Sequence, residues 1–166
     1  MPEKKTLERA AKDKKEGKSA STQAGEFVHE EMDHIREGKH GAASTKQAIA
    51  IGLSKARRAG VKLSPPKKGS AATKRKAAQD SAKGASGAKK TVSRTRSKAT
   101  SAALKKEGHA AASKKALSKQ GKSAAAQRTA SDRSAAAKKA AKTKGAEGRS
   151  AAARKAARTR EREAEA

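Results

Sequence analysis

The chain has 166 residues, of which 43 are Lys or Arg and 16 are Asp or Glu, so the formal net charge is +27. Phe27 is the single aromatic residue and there is no cysteine, which excludes a disulfide framework, a Cys-ligated zinc and a thiol nucleophile. Most of the apolar residues are alanines, which bury too little surface to enclose a large catalytic pocket. We therefore expect a protein that is not an enzyme.

Neither end of the chain nor its interior carries a membrane signal. No apolar run approaches the roughly 18 residues that a membrane span requires. The Lys-rich start of the chain lacks the apolar stretch of a signal peptide. These features predict a cytoplasmic protein with no membrane partner.

A small helical hairpin is predicted at residues 20–64, after a charged segment at residues 1–19 in which residues 2–15 could form a helix with little to bury. The first hairpin helix is expected to begin at Thr22 as N-cap and to end near Glu37, because Gly38 suits a helix stop. Large apolar residues recur at helical spacing along it, namely Phe27, Val28, Met32 and Ile35.

The second hairpin helix is expected to begin at Ser44, since Ser44-Thr-Lys-Gln47 fits a capping box. Gly60 is the expected C′ residue and Val61 its apolar partner. Gly52 in the middle of this helix is either a tolerated glycine or a point of close helix approach. A hairpin of about 40 residues is marginal alone, so docking to DNA, self-association or a protein partner through residues 20–64 is expected to support it.

Residues 65–166 differ sharply in composition from the hairpin. Residues 66–166 carry 29 basic and 7 acidic residues and very few large apolar ones. Such a segment is predicted to be largely disordered when free and to gain helix on a polyanion. The predicted fold class is therefore all-α, a helical hairpin followed by a conditionally helical, low-complexity tail. Within the tail, residues 133–144 recur as residues 149–160 with every basic position kept as Lys or Arg.

The hairpin resembles a known family. The run from Lys46 to Lys55, Lys-Gln-Ala-Ile-Ala-Ile-Gly-Leu-Ser-Lys, and the run from Ser21 to Val28 are similar to those of small basic bacterial proteins labelled as a domain of unknown function. The resemblance covers roughly residues 20–68. It implies a bacterial origin and supplies no site residues. The tail is similar in composition to the Lys/Ala-rich tails of linker histones and bacterial histone-like proteins.

The density of positive charge predicts duplex DNA as the partner. Each phosphate that a Lys or Arg neutralises releases counterions, and single-strand readers need exposed aromatic side chains that this chain lacks. The chain is thus predicted to be a histone-like, nucleoid-associated protein that binds the DNA backbone without sequence preference and needs no cofactor. The candidate contacts are Lys55, Arg57, Arg58, Lys62, Lys67, Lys68, Arg133, Lys138, Lys139, Lys142, Lys144, Arg149, Arg154, Lys155, Arg158 and Arg160.

Other interpretations stay open at this point. Disordered basic segments also fold on RNA, so the partner could be RNA or a ribosome. The hairpin could instead be a protein-interaction module that the tail only localises. The cations at the end of the second helix, Lys55 to Lys62, also suit the negative end of the helix dipole, which is a purely structural explanation.

The histidines do not match a metal motif. His29 and His34 resemble the His-Glu-x-x-His zinc motif, but they are five residues apart, and about 500° of helical turn leaves the rings about 140° apart. His40 and His109 lie beside glycines with no third ligand nearby in the sequence. No metal site is therefore predicted.

Overall fold

Serine and threonine side chains cap the α-helices that follow the first one. The computed structural model describes residues 2–66, 69–87 and 93–164. Along these ranges lie α1 (Lys4–Lys15), α2 (Ala20–Arg36), α3 (Thr45–Arg58), α4 (Ala71–Ala85), α5 (Arg94–Lys106), a 3₁₀ turn (Ala110–Ala112), α6 (Lys114–Ala126) and α7 (Ala130–Ala164). The described ranges contain no β-strand. The predicted all-α class is therefore confirmed.

The predicted start of α2 is wrong by one turn. Ser19, not Thr22, is the N-cap, because the Ser19 hydroxyl accepts a hydrogen bond from the Thr22 backbone N–H at 3.3 Å. The predicted start of α3 is confirmed, since the Ser44 hydroxyl accepts from the Gln47 N–H at 3.2 Å. The Gln47 side chain turns back to the N–H of Ala43, one residue before the cap.

The predicted end of α3 is also confirmed. Gly60 has a φ of +90°. Its N–H donates to the Arg57 carbonyl at 3.0 Å, and the Val61 N–H donates to the Ala56 carbonyl at 3.1 Å. This pair of hydrogen bonds is a Schellman motif, in which the left-handed glycine lets the chain satisfy the last helical carbonyls. Val61 packs in the same apolar cluster as Ala56.

The apolar stripe of α2 faces α1 and α3, where two small clusters form the core. Phe27, which is 1% exposed, packs with Ala10, Ala24, Ala56 and Val61. A second cluster continues along the hairpin and consists of Met32, Ile35, Ala42, Ala48, Ala111 and Ala112. Because most members are alanines, the helices must lie close together to make contact.

Gly52 supplies that close approach. A Cβ at this position would lie 2.7 Å from the Val28 Cα and 3.0 Å from the Phe27 carbonyl oxygen. Distances this short leave no room for a side chain without moving α2 or α3. Of the two interpretations of Gly52, the structure therefore favours close helix packing.

The N-terminal helix α1 has three buried residues, although its charged sequence predicts little burial. Thr6, Ala10 and Asp13 lie on the face of α1 that packs on α2. The Lys18 ammonium donates to Asp13 at 2.7 Å, and this contact raises the pKa of Lys18 above its ordinary value of 10.5. α1 is therefore a third helix of the core.

Residues predicted to belong to the tail also pack on the hairpin. Ala77 and Asp80 of α4 are buried against α3, and the Ser54 hydroxyl donates to Asp80 at 2.7 Å. Ala111 and Ala112 of the 3₁₀ turn are buried against α2 and α3, and Thr45 donates to the Ala111 carbonyl at 2.7 Å. Small side chains therefore extend the core where large ones are missing.

The prediction of a largely disordered tail is not supported, because the described residues after 65 form α4 to α7. Alanine is the strongest helix former, and each of these helices begins at a hydroxyl cap. The caps are Ser70, Ser93, Ser113 and Thr129. Thr129 and Asp132 cap each other reciprocally. Propensity and capping together form helices that hydrophobic patterning alone does not predict.

The chain divides into two compact units, Met1–Gln120 and Gly121–Ala166. The first unit contains α1 to α5 and the 3₁₀ turn, so it extends well past the hairpin predicted at residues 20–64. The second unit contains α7, which has no buried residue between Ala130 and Ala164.

Candidate nucleic-acid interface

Lys55 is committed to ion pairs inside the first unit. Its side chain is 16% exposed, and its ammonium lies 2.6 Å from Glu31 Oε2 and 3.2 Å from Glu30 Oε1. Burial by itself raises the pKa of Glu30, but hydrogen bonds from Thr6, the Glu3 N–H and Lys55 outweigh it and lower the pKa. A cation held by two carboxylates is not available to a phosphate, so Lys55 leaves the candidate interface.

Arg57 is also used within the fold. It is buried, and its guanidinium donates to the carbonyls of Leu63 and Ser64 at 3.4 and 3.3 Å. Those contacts hold the segment that follows α3, so the structural explanation applies to Arg57 as well. Arg58 and Lys62 are exposed, although Arg58 Nε lies 4.0 Å from Asp80. The remaining two candidates near the hairpin, Lys67 and Lys68, lie outside the described residues.

The ten candidate cations of the repeats all lie on the surface of α7. They are exposed without exception, namely Arg133, Lys138, Lys139, Lys142, Lys144, Arg149, Arg154, Lys155, Arg158 and Arg160. The alanines between them have side chains too short to cover the ammonium and guanidinium groups. These residues therefore form the largest set of predicted contacts that the structure leaves accessible.

Each sequence repeat corresponds to one helical half of α7. Gly145, with φ +67° and ψ 176°, has a non-helical backbone and separates residues 130–144 from residues 146–164. Arg149 bridges the break, since its guanidinium donates to the Ala141 carbonyl at 2.7 Å. We call the two halves the repeat helices. The repeat in the sequence is thus a repeat in structure.

Three cations share one face in each repeat helix. At 100° per residue, Lys138, Lys139 and Lys142 fall within roughly 100° of one another, and so do their counterparts Arg154, Lys155 and Arg158. A helix face with three cations over about 6 Å of axis presents a dense positive charge to a neighbouring polyanion.

Sequence reasoning missed one cluster in the first unit. His40, considered isolated in its loop, lies with Glu31 and His34 so that one ligand atom of each is within 4.8 Å of the others. The sequence signal was present, because Glu31 and His34 are three residues apart and share a helix face. The turn after α2 that adds His40 could not be predicted from spacing.

The same corner carries surface ion pairs. Lys39 contacts Glu37 at 2.9 Å and Glu3 at 3.1 Å, and these hydrogen bonds raise the pKa of Lys39. His34 Nε2 lies 2.8 Å from Glu3 Oε1. The hydrogen bonds from His34 and Lys39 lower the pKa of Glu3. The start of the chain is therefore tied to the end of α2 by charge.

The fold and surface define an all-helical, strongly basic protein. Residues 14–68 match the model of a family of unknown function (DUF6496). This agrees with the domain of unknown function that the sequence resemblance indicated for the hairpin. No curated protein and no solved structure matches the chain. Among the described residues, no helix combines the length and apolarity needed to cross a bilayer.

Proposed function

We propose that this chain binds duplex DNA without sequence preference, through the exposed cations of the repeat helices, as a histone-like protein of the bacterial nucleoid. The role is non-catalytic and places the protein in the cytoplasm. The observation that carries the proposal is the exposure of all ten repeat cations on two alanine-rich helices.

The contrast with the first unit supports this choice of residues. There, Lys55 and Arg57 are enclosed with their acceptors, whereas the ten cations of the repeat helices are exposed. Two of these, Arg133 and Arg149, donate to backbone carbonyls and remain exposed. A surface cation can bind a phosphate at little desolvation cost, while a buried one must first leave its carboxylate. The repeat helices are therefore the more favourable surface for phosphates.

Backbone contact explains the expected lack of sequence preference. Lys and Arg reach phosphates through charge, which carries no base identity. Phe27 is buried in the core, so it is not available to stack on unpaired bases. The driving force is counterion release, with a log–log salt slope of about −0.9 for each neutralised phosphate.

A salt titration of the full chain with duplex DNA tests the proposal. The variant Lys138→Gln/Lys139→Gln/Lys142→Gln removes one cationic face, and the control Lys5→Gln/Lys14→Gln/Lys15→Gln removes three exposed lysines from α1. We expect the tail variant to flatten the salt slope by about 2.7 and the control to change it far less. Equal effects of the two variants would contradict the assignment of the interface to α7.

Competition with structured RNA and single-stranded DNA at matched salt tests the choice of partner. We expect duplex DNA to displace structured RNA and single-stranded DNA from the protein. Preferential binding of structured RNA would instead favour an RNA- or ribosome-associated role for the same cations.

A protein-interaction role for the hairpin is a second candidate function, and an apolar groove favours it. The groove has a volume of about 860 Å³ and lies between α3, α4 and α5, with Ile49, Ile51, Leu53 and Leu104 in its lining. Its charged lining consists of the cations Lys46, Arg57, Arg58 and Lys76 and one carboxylate, Asp80, which lies 3.4 Å from the Lys76 ammonium. A peptide segment with acidic residues and one apolar face would complement the apolar lining and the cations of this groove.

A designed Glu/Leu peptide tests this second function. A peptide whose leucines fall on one helix face should bind the full chain. A scrambled peptide of the same composition should bind at least tenfold more weakly. Equal binding of the two peptides would mean that charge alone attracts them, which would contradict a role for the groove.

A further inference from the structure

Two histidines and a glutamate meet where α2 ends. Glu31 and His34 lie on one face of α2, and the turn that contains Gly38 brings His40 beside them. One carboxylate oxygen and one ring nitrogen from each histidine lie within 4.8 Å of one another. The side chains are well enclosed, at 1% exposure for Glu31, 14% for His34 and 17% for His40.

The two ring nitrogens of His40 both lie close to acceptor oxygens. Nδ1 lies 3.0 Å from the Gly41 carbonyl oxygen, and Nε2 lies 3.2 Å from Glu31 Oε1. Both oxygens are acceptors, whereas a neutral imidazole donates from one nitrogen only. When Nδ1–H donates to the carbonyl, Nε2 presents a lone pair to the carboxylate. A metal ion between this lone pair and the carboxylate would satisfy both groups.

Negative charge exceeds positive charge around Glu31. Glu30 and Glu31 are both buried and share the ammonium of Lys55. Lys55 and His40 approach the Glu31 carboxylate, yet neither of its oxygens has a partner of hydrogen-bond geometry among the described residues. A buried carboxylate without full compensation is costly, so a further positive charge at this point would stabilise the fold.

We propose that Glu31, His34 and His40 bind a divalent transition-metal ion, with Zn²⁺ as the best fit. Two imidazoles and one carboxylate form a ligand set that suits Zn²⁺, whereas Mg²⁺ and Ca²⁺ prefer oxygen ligands. Hydrogen bonds from ligating histidines to a carbonyl or a carboxylate orient the rings in known metal sites. Gly41 and Glu3 offer those acceptors to His40 and His34.

The ion would clamp the turn between α2 and α3. Two ligands come from α2 and one from the turn after it, so binding would hold His40 against the helix. Three protein ligands also leave one tetrahedral position for water. This site is in the first unit and does not depend on the proposed binding of DNA.

The test uses the full chain, freed of nucleic acid by high salt and of metal by a chelator, and titrated with Zn²⁺. We expect one Zn²⁺ per chain with a dissociation constant of about 1 µM or lower. In long-range ¹H–¹⁵N spectra of the wild-type imidazoles, the signals of His34 and His40 should shift, while that of His29 should stay unchanged. This measurement needs no substitution and so does not depend on a variant that folds.

Paired variants give the second readout. His34→Gln/His40→Gln should weaken Zn²⁺ binding by at least tenfold, and the control His29→Gln should keep wild-type affinity. Circular dichroism of each variant without metal checks that the helices remain. Absence of saturable binding, equal loss in both variants, or a shift of His29 as large as those of His34 and His40 would overturn the proposal.

Discussion

Lys55 and Lys155 are lysines on α-helices of one chain, but their surroundings differ. Lys55 is enclosed in the first unit between two buried carboxylates. Lys155 is exposed on the second repeat helix, among alanines and other cations. The comparison teaches that a count of positive charges does not identify the residues that can meet a phosphate. The neighbouring carboxylates and the degree of burial decide that.

Substitution of each lysine should show the effect of these surroundings. Lys55→Gln leaves Glu30 and Glu31 buried without their cation, and breaking such a buried pair costs about 3–5 kcal/mol. Lys155→Gln should change the free energy of unfolding by less than about 0.5 kcal/mol, while it reduces the DNA salt slope by about 0.9. Chemical denaturation and a salt titration measure the two effects.

The two variants serve as controls for each other, because each removes one positive charge from a helix. If Lys55→Gln left stability unchanged, the ion pairs with Glu30 and Glu31 would carry no weight in the fold. If it reduced the salt slope as much as Lys155→Gln does, Lys55 would return to the candidate interface.

Two glycines in the first unit sharpen the distinction between packed and open helix surfaces. Gly52→Ala places a methyl group 2.7 Å from the Val28 Cα and should destabilise the fold by about 1–3 kcal/mol. Gly25→Ala meets nothing within 4 Å on α2 and should stabilise it by about 0.5–1 kcal/mol through helix propensity. Thermal unfolding reports both. A stabilising effect of Gly52→Ala, like that expected for Gly25→Ala, would show that α2 and α3 do not pack at Gly52.

The smallest expected effect is in the second unit. Gly145 has a backbone conformation that only glycine adopts readily, and a Cβ there meets nothing within 4 Å. In Gly145→Ala we therefore expect the two repeat helices to join into one, with a gain below about 1 kcal/mol. Far-UV circular dichroism should show a small rise in helicity. A fall in helicity would indicate that the break is required by the surrounding chain.

Local features of the hairpin were predictable because they depend on neighbours in sequence. The cap at Ser44, the Schellman motif at Gly60 and the buried stripe of Phe27, Met32 and Ile35 all follow from spacings of a few residues. The cap of α2 was misplaced because Ser19 and Thr22 are both good N-caps, one helical turn apart.

The features that sequence reasoning missed join distant segments through small side chains. Ala111 and Ala112 complete a cluster around Ile35, and the close contact of Gly84 with the Arg57 carbonyl seats α4 on α3. Alanine and glycine give no hydrophobic signal, so pattern recognition assigned these residues to a tail. The same limit applied to His40, which joins Glu31 and His34 only after the turn forms.

The amino-acid sequence by itself determined the helical class, the hairpin and the large excess of positive charge, because propensity, capping and composition act over short distances. Only the tertiary structure decided which positive charges are exposed to a partner and which are paired inside the fold. Availability depends on carboxylates and carbonyls that other segments bring near, and the charge of a residue contains no information about those neighbours.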